Sequence, residues 1–321
     1  MKEIVLTAIG GPENFAPRET ATPSPPPGTI RVRNLAIGVN FIDIYQRKGL
    51  YPISVPAVLG QEGAGVVAEA GDGAPFKKGE RVAYLSGSGA YAEETIVSAS
   101  MAAAIPDGVS DGVAAASFLK GLTAHMLLRD IFPLKPNDYA LITAAVGGVG
   151  TLLTQWAAHI GALPIAVVGG PTKVSAAKEN GAAHVIDRTA APDIATEVRR
   201  LTNGRGVDVV YDSVGAATFE ASLNSLAVRG MMVTYGNASG PVPPVAPLEL
   251  ARRGSLSLIR PILFHYATPD RLPAMAAILF KLIADGVLKP QIAAALPLAN
   301  AADAHRMLEG GTTTGSIVLE P

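Results

Sequence analysis

The chain has 321 residues, a length that corresponds to about two domains. Its 26 Lys and Arg residues balance 27 Asp and Glu residues, and the net charge of −1 gives no indication of a nucleic-acid-binding surface. The absence of cysteine excludes disulfides, thiolate catalysis and cysteine-ligated metal sites. We find neither a signal-peptide pattern nor about 18 uninterrupted apolar residues, so we expect a cytoplasmic protein that does not enter a membrane.

The first ~100 residues are predicted to be rich in β-strands. Apolar and charged side chains alternate in 29–39, where Ile30 and Val32 flank Arg31. Further strands, separated by glycine-rich turns, are predicted at 4–6, 63–70, 81–85 and 91–97.

Strands and helices alternate after residue 110. An alanine-rich helix is predicted from 110 or 111 to 128. Strands are then predicted at 139–143, 163–168, 184–186, 207–211 and 231–235. The helices between them are predicted at 151–160, 173–180, 194–202 and 218–227. This alternation is typical of βαβ units around a parallel sheet. The last predicted elements are a strand at 256–259, helices at 272–284 and 301–308, and a strand at 316–319.

The loop 144–150 (AAVGGVG) lies between a predicted strand and a predicted helix. It matches a dinucleotide-binding fingerprint with Ala145 in place of the first glycine, while Gly147 and Gly150 keep the spacing. Gly148 and Val149 complete the turn, where backbone N–H groups at a helix N-terminus bind a pyrophosphate. The alternative is a plain strand–helix turn that merely needs small residues.

The segment after the second strand of this region indicates which dinucleotide binds. An NAD-binding protein usually has a carboxylate there, whereas this chain has Gly169, Gly170 and then Lys173. Arg188 follows the third strand and is a second candidate for the same edge. A 2′-phosphate requires cations, so NADPH is favoured over NADH. Two alternatives stay open: Lys173 as an exposed helix residue, and Arg188 as the ion partner of Asp187.

Six segments together resemble the zinc-free, zeta-crystallin-like quinone oxidoreductases of the medium-chain dehydrogenase/reductase superfamily. They are 36–43 (AIGVNFID), 60–67 (GQEGAGVV), 118–124 (FLKGLTA), the loop 144–150, 211–215 (YDSVG) and 235–237 (YGN). The resemblance implies a GroES-like distorted β-barrel catalytic domain formed by 1–122 and 288–321. A Rossmann-type, doubly wound parallel-sheet domain for NADPH is expected at 123–287. The nicotinamide and the substrate are expected in a cleft between the domains, and the assembly is expected to be a homodimer through the nucleotide-binding domain.

The resemblance also addresses zinc. Zinc-dependent members of the superfamily have a Cys where Asn40 stands and a His where Gln61 stands, and their third ligand near 119–120 is also missing. An amide is a poor zinc ligand, and the five histidines show no ligand spacing. We therefore expect no catalytic zinc and a substrate that is already activated, such as a quinone or a conjugated carbonyl compound.

Site residues are implied by position. The segment from Asn40 through Phe41, Ile42 and Asp43 to Tyr45 is expected to line the cofactor, and Tyr45, Tyr51 and Asn40 are candidates for the chemistry. Asp43 is alternatively a helix N-cap, and the two tyrosines are alternatively aromatic anchors.

Further cofactor-binding candidates follow from the same resemblance. They are Lys120, Thr123, Ser213, Tyr235, Gly236, Asn237, Arg260 and Thr314. Arg260 is also expected to stabilise the substrate oxyanion. Lys120 is alternatively a solvated cation and Arg260 a surface arginine. The family often has a Tyr where Arg188 stands, which leaves the contact of Arg188 open.

The sequence thus predicts an NADPH-dependent, zinc-independent reductase that transfers a hydride to quinones or related conjugated carbonyls. An enoyl or alkenal double-bond reductase is the alternative within the same class. A cofactor-binding structural or RNA-binding protein is the alternative from another class, although we expect no nucleic-acid partner from the charge balance.

Overall fold

A computed structural model describes residues 1–191 and 193–321, which form two compact units. The first unit comprises Met1–Leu122, Ala267–Gly286 and Pro290–Pro321, and the second comprises Thr123–Tyr266 and Val287–Lys289. We predicted that the segment Ala267–Gly286 belongs to the nucleotide-binding domain, whereas the structure groups it with the first unit.

Packing of the helix Leu272–Ala284 explains this difference. The ring of Phe280 stacks on that of Phe118 with 5.8 Å between centroids. A Cβ at Gly121 would lie 2.3 Å from Leu279 Cδ1, so the Leu279 side chain packs into the space that the glycine leaves open. Neither contact is readable from the apolar period of the helix alone.

The first unit is built on two sheets. The larger has the strand order Ile292–Pro297, Ser316–Glu320, Thr29–Val39, Glu62–Ala70, Arg81–Leu85 and Ala102–Ala104, and Glu94–Ser98 also pairs with Thr29–Val39. The smaller has the order Phe15–Glu19, Lys2–Leu6 and Ala57–Val58. The C-terminal strand runs antiparallel to Thr29–Val39, which ties the end of the chain into this unit. Its other helices are Phe41–Arg47, Asp111–His125 (which runs past residue 122) and Ala301–Glu309.

Among its described residues, the second unit contains six parallel strands. Their order is His184–Asp187, Leu163–Val168, Tyr139–Thr143, Val207–Asp212, Leu226–Thr234 and Ser257–Ile259. In chain order this is 3-2-1-4-5-6, the arrangement of a doubly wound dinucleotide-binding sheet. Its helices are Gly148–Ile160, Val174–Glu179, Ile194–Leu201, Phe219–Ser225 and Pro247–Arg252. The predicted fold class is confirmed.

Two predicted helices end earlier than expected, and the strand predicted at 231–235 begins earlier. The helix predicted to 128 ends at His125 and passes into a π-helical turn, Met126–Ile131. The helix predicted over 218–227 ends at Ser225, and the next strand begins at once with Leu226. In that strand, Arg229 has a positive φ of 66°, and the pairing register with the neighbouring strand shifts around it. This irregularity interrupts the two-residue alternation by which a strand is predicted. Among the described residues, no helix is long and apolar enough to cross a membrane.

Candidate functional site

The phosphate loop follows the first strand of the parallel sheet. Gly147 precedes the helix Gly148–Ile160, and its carbonyl accepts from the N–H of Thr151 at 2.8 Å. A Cβ at Gly150 would lie 2.2 Å from the carbonyl oxygen of Ala144, so only glycine fits there. Ala145, at the first fingerprint position, is fully buried against this turn. The loop thereby leaves the N–H groups of the first helical turn available to an anion.

A buried carboxylate fixes the loop after the fourth strand. Asp212 Oδ1 accepts from the N–H groups of Val214 and Gly215 at 2.8 and 3.0 Å. Its Oδ2 accepts from the hydroxyls of Thr218 and Ser222, both at 2.6 Å. These contacts fix the loop that begins at Ser213 and join it to the helix Phe219–Ser225, at the strand ends where ligands bind in such sheets. Asp212 stood within a quoted motif, but sequence reasoning did not single it out.

Arg260 reaches back to the ends of neighbouring strands. Its Nη1 donates to Thr234 Oγ1 at 3.1 Å and to the Gly236 carbonyl at 2.9 Å. With its amide oriented to satisfy both groups, Asn237 accepts from Arg260 Nη2 at 3.0 Å. Arg260 is exposed, as the surface alternative expects, and its guanidinium is held by Thr234, Gly236 and Asn237.

Two cations lie together beyond the second strand. Lys173 is half-buried at the start of the helix Val174–Glu179. Burial lowers the pKa of Lys173, and the nearby positive charge of Arg188 lowers it further. The carboxylate of Asp187 accepts from Thr189 N and Oγ1 at 2.9 and 2.8 Å. Two like charges held close together, one of them half-buried, form a site suited to a phosphate dianion.

In the first unit, the helix Phe41–Arg47 begins with a reciprocal cap. Asn40 occupies the N-cap position, and its backbone N–H donates to Asp43 Oδ2 at 2.9 Å. The alternative of Asp43 as the N-cap is therefore wrong, because Asp43 stands at the third helical position and closes a capping box. Asp43 is fully buried, and this burial raises its pKa to about 7.

The same helix carries an aromatic group. Tyr45 is 7% exposed, and its ring meets that of Tyr51 edge-on with 5.5 Å between centroids. The ring of Phe41 lies 6.0 Å from that of Tyr45. The structure thus brings the two predicted tyrosines into contact. Ile42 and Thr314 are half-buried in this unit, and Thr123 is buried in the other.

A buried ion pair lies beside Asn40. Lys120 Nζ contacts Glu62 Oε1 at 2.6 Å, and the Asn40 amide donates to the same oxygen at 2.8 Å. The N–H of Leu119 donates to Glu62 Oε2 at 2.7 Å. Glu62 was missed as a site residue, and its place among small residues of a buried strand was the available signal. Lys120 is 5% exposed, so the alternative of a solvated cation is wrong.

These residues do not fit a catalytic zinc. An ammonium group and an amide, both bonded to Glu62, stand where a metal site would need thiolate or imidazole ligands. Gln61 donates to the Gly87 carbonyl at 3.3 Å. Among residues 1–191 and 193–321, no group of three or more His, Asp or Glu side chains is arranged to hold a metal ion.

Comparison with known proteins agrees with this description. The family model for the alcohol dehydrogenase GroES-like domain matches residues 26–107, and that for zinc-binding dehydrogenases matches residues 148–280. Together with the fold, these matches define a medium-chain dehydrogenase/reductase.

The similar proteins narrow the class. A quinone oxidoreductase of Pseudomonas aeruginosa is 45% identical, over 100% of this chain and 99% of its own length. A 2-haloacrylate reductase of a Burkholderia species is 43% identical, over 99% and 98% respectively. The crystal structure of Escherichia coli quinone oxidoreductase complexed with NADPH superimposes with a TM-score of 0.97 at 43% identity, and 100% of each chain is covered. The chain belongs to the quinone oxidoreductase family, as the sequence motifs predicted.

Proposed function

We propose that the chain is an NADPH-dependent, zinc-independent reductase that transfers a hydride to quinones. The observation that carries this proposal is the full-length similarity to quinone oxidoreductases, one of them solved with NADPH. The paired cations Lys173 and Arg188 supply independent physical support for a 2′-phosphorylated dinucleotide.

Different residues of the chain would bind different parts of NADPH. The turn Gly147, Gly148 and Val149 would hold the pyrophosphate through backbone N–H groups. Residues of the strand ends, Ser213, Asn237 and Arg260 among them, would orient the nicotinamide half. NADPH supplies the hydride when it is bound.

The acceptor oxygen gains negative charge during reduction, and a hydrogen-bond donor at that oxygen lowers the barrier. Tyr45, with Tyr51 in contact, is the donor that we propose, and Asn40 would help to fix the helix that carries it. Solvent or Tyr45 would supply the proton.

Reduction of a conjugated double bond is the second candidate, favoured by the similarity to 2-haloacrylate reductase over 99% of this chain. NADPH oxidation measured with a quinone panel and with a panel of enones and haloacrylates separates the two. We expect the quinones to give the larger kcat/KM. Turnover with neither panel would favour the structural or RNA-binding alternative and contradict the proposal.

We also propose a homodimer through the nucleotide-binding unit. Ser257–Ile259 pairs on one side only within the described sheet, and Val228, Leu248 and Ile262 are apolar side chains that are 75%, 58% and 54% exposed. Pairing with a second copy would satisfy the strand edge and cover apolar surface. Light scattering after size exclusion tests it, and a monomer at micromolar concentration would contradict it. Location in the cytoplasm stays a prediction.

A further inference from the structure

A chain of four buried side chains leads to Asp43 from the C-terminal helix Ala301–Glu309. Arg47 Nε donates to His305 Nδ1 at 3.2 Å. His305 Nε2 lies 2.9 Å from Tyr91 Oη, and Tyr91 Oη donates to Asp43 Oδ2 at 3.1 Å. None of the four residues is more than 1% exposed.

Arg47 fixes the direction of these hydrogen bonds. A guanidinium donates and never accepts, so His305 Nδ1 must be the acceptor nitrogen. Burial and the charge of Arg47 lower the pKa of His305 to about 3, so the ring is neutral at physiological pH. The only ring proton is then on Nε2 and is donated to Tyr91, which leaves the Tyr91 proton for Asp43.

The two oxygens of Asp43 therefore differ. Oδ2 accepts from Tyr91 and from the backbone N–H of Asn40, and neither donor can reverse. Oδ1 is buried and accepts no hydrogen bond from the described residues. A proton that reaches Asp43 has only Oδ1 to occupy.

We propose that Arg47, His305 and Tyr91 are positioning residues for the reductase. They make Asp43 gain and lose its proton at Oδ1 alone, while Oδ2 keeps hold of the Asn40 end of the helix that carries Tyr45. Asp43 can thus change its charge without displacing that helix. This inference rests on the proposed function only in assigning the charge change to hydride transfer.

Asp43 gains and loses its proton near neutral pH. Outside the hydrogen-bonded series of Arg47, His305 and Tyr91, two charged groups act on Asp43. Lys120 lowers the pKa of Asp43 and Glu62 raises it, and burial, the largest effect, brings the pKa to about 7. A buried carboxylate opposes the negative charge that develops on the acceptor. We therefore expect the reductase rate to fall as the pH rises through the pKa of Asp43.

The first test reads the histidine directly. Nitrogen-15 NMR distinguishes the two neutral tautomers, the chain has five histidines, and His305→Gln assigns the signal. We expect His305 to carry its proton on Nε2 and not to titrate between about pH 5 and 8. A proton on Nδ1, or titration in that range, would overturn the proposal whether or not the protein reduces quinones.

The second test removes the last donor. Tyr91→Phe deletes a charge-assisted bond that lowers the pKa of Asp43, so the pH at which the rate falls should rise by about 1 to 2 units. Tyr84→Phe is the matched control, because Tyr84 is equally buried but donates to Asn34 at 2.8 Å. We expect its profile to coincide with that of the wild type.

The Asp43 carboxyl carbon, followed by carbon-13 NMR and assigned with Asp43→Asn, should show the same shift without any substrate. An unchanged Asp43 pKa in a folded Tyr91→Phe variant would overturn the proposal. The expected tautomer and carboxyl shift, found in a protein that turns over no quinone or enone, would instead refute the proposed function.

Discussion

Replacing Lys173 with alanine tests the cofactor assignment most directly. Lys173 is half-buried, so its contact with a 2′-phosphate would be less screened by water than a surface ion pair. Loss of one charge-assisted hydrogen bond costs about 1.5–3 kcal/mol, which corresponds to about a ten- to hundredfold weaker NADPH affinity. NADH lacks the phosphate, so its affinity should hardly change.

Arg188→Ala should have a smaller effect. Arg188 is exposed, and exposed charge pairs contribute about 0.2–1 kcal/mol, or up to about fivefold in affinity. The loss is partly offset, because removing Arg188 also removes a charge that lowers the pKa of Lys173. The two single variants should therefore differ by several-fold in NADPH affinity.

The assay is titration of both cofactors, by calorimetry or by nicotinamide fluorescence, at low and high salt. Lys178→Ala is the matched control, since Lys178 is an exposed lysine of the same helix, Val174–Glu179. We expect it to leave both affinities unchanged. Equal weakening of NADPH and NADH by Lys173→Ala would refute the reasoning, because a phosphate contact cannot affect a cofactor without that phosphate.

Four further predictions concern the first unit. Tyr45→Phe should lower kcat about tenfold, because a donor to the oxyanion is lost, and should leave NADPH affinity intact, because the ring is kept. A variant with unchanged steady-state kinetics would mean that Tyr45 only lines the substrate site. Lys120→Met should lower the free energy of unfolding by about 3–5 kcal/mol in urea denaturation, because Glu62 is left buried without its cation, whereas the exposed Lys281→Met should cost less than about 1 kcal/mol. Prolonged chelation should not lower the reductase rate, and a loss of rate that zinc restores would contradict the donor-set argument. Because the pKa of Asp43 is raised from 3.8 to about 7, the native state keeps a proton that the unfolded chain has lost in this pH range. Asp43 should therefore lower the free energy of unfolding by about 1.4 kcal/mol for each pH unit between 3.8 and about 7. Asp43→Asn should abolish this pH dependence in urea denaturation.

The parallel sheet was predictable because its strands are buried on both faces. The segments 139–143 and 163–168 are short apolar runs between turn signals, and the structure has strands with the same limits. The strand Ile292–Pro297 was missed for the opposite reason. All six of its residues are apolar although four are exposed, so no alternation of polar and apolar side chains marks it as a strand. The assignment of Ala267–Gly286 depends on long-range packing, which no local pattern encodes.

Candidate cofactor-binding residues could be proposed from the sequence, because phosphate binding needs small residues and cations at fixed distances from a strand end. Gly150 and Lys173 fall in this group. The hydrogen-bonded series of Arg47, Tyr91 and His305 could not be predicted from the sequence. Its members lie up to 258 positions apart, and only folding places them in hydrogen-bond contact. A lone histidine in a sequence carries no information about whether its partner is solvent, a metal ion or a guanidinium.

The Lys120–Glu62 pair has a consequence for the substrate. A zinc ion draws electrons from a bound oxygen with two positive charges, whereas the Lys120 ammonium is already neutralised by a carboxylate at 2.6 Å. Its remaining field on any nearby oxygen is therefore weak, and hydrogen bonds alone must stabilise the developing charge. Such bonds suffice when the acceptor delocalises the incoming electrons, as quinones and conjugated carbonyls do, and not for an isolated ketone. The pair therefore favours activated acceptors as the substrates of the reductase that we propose.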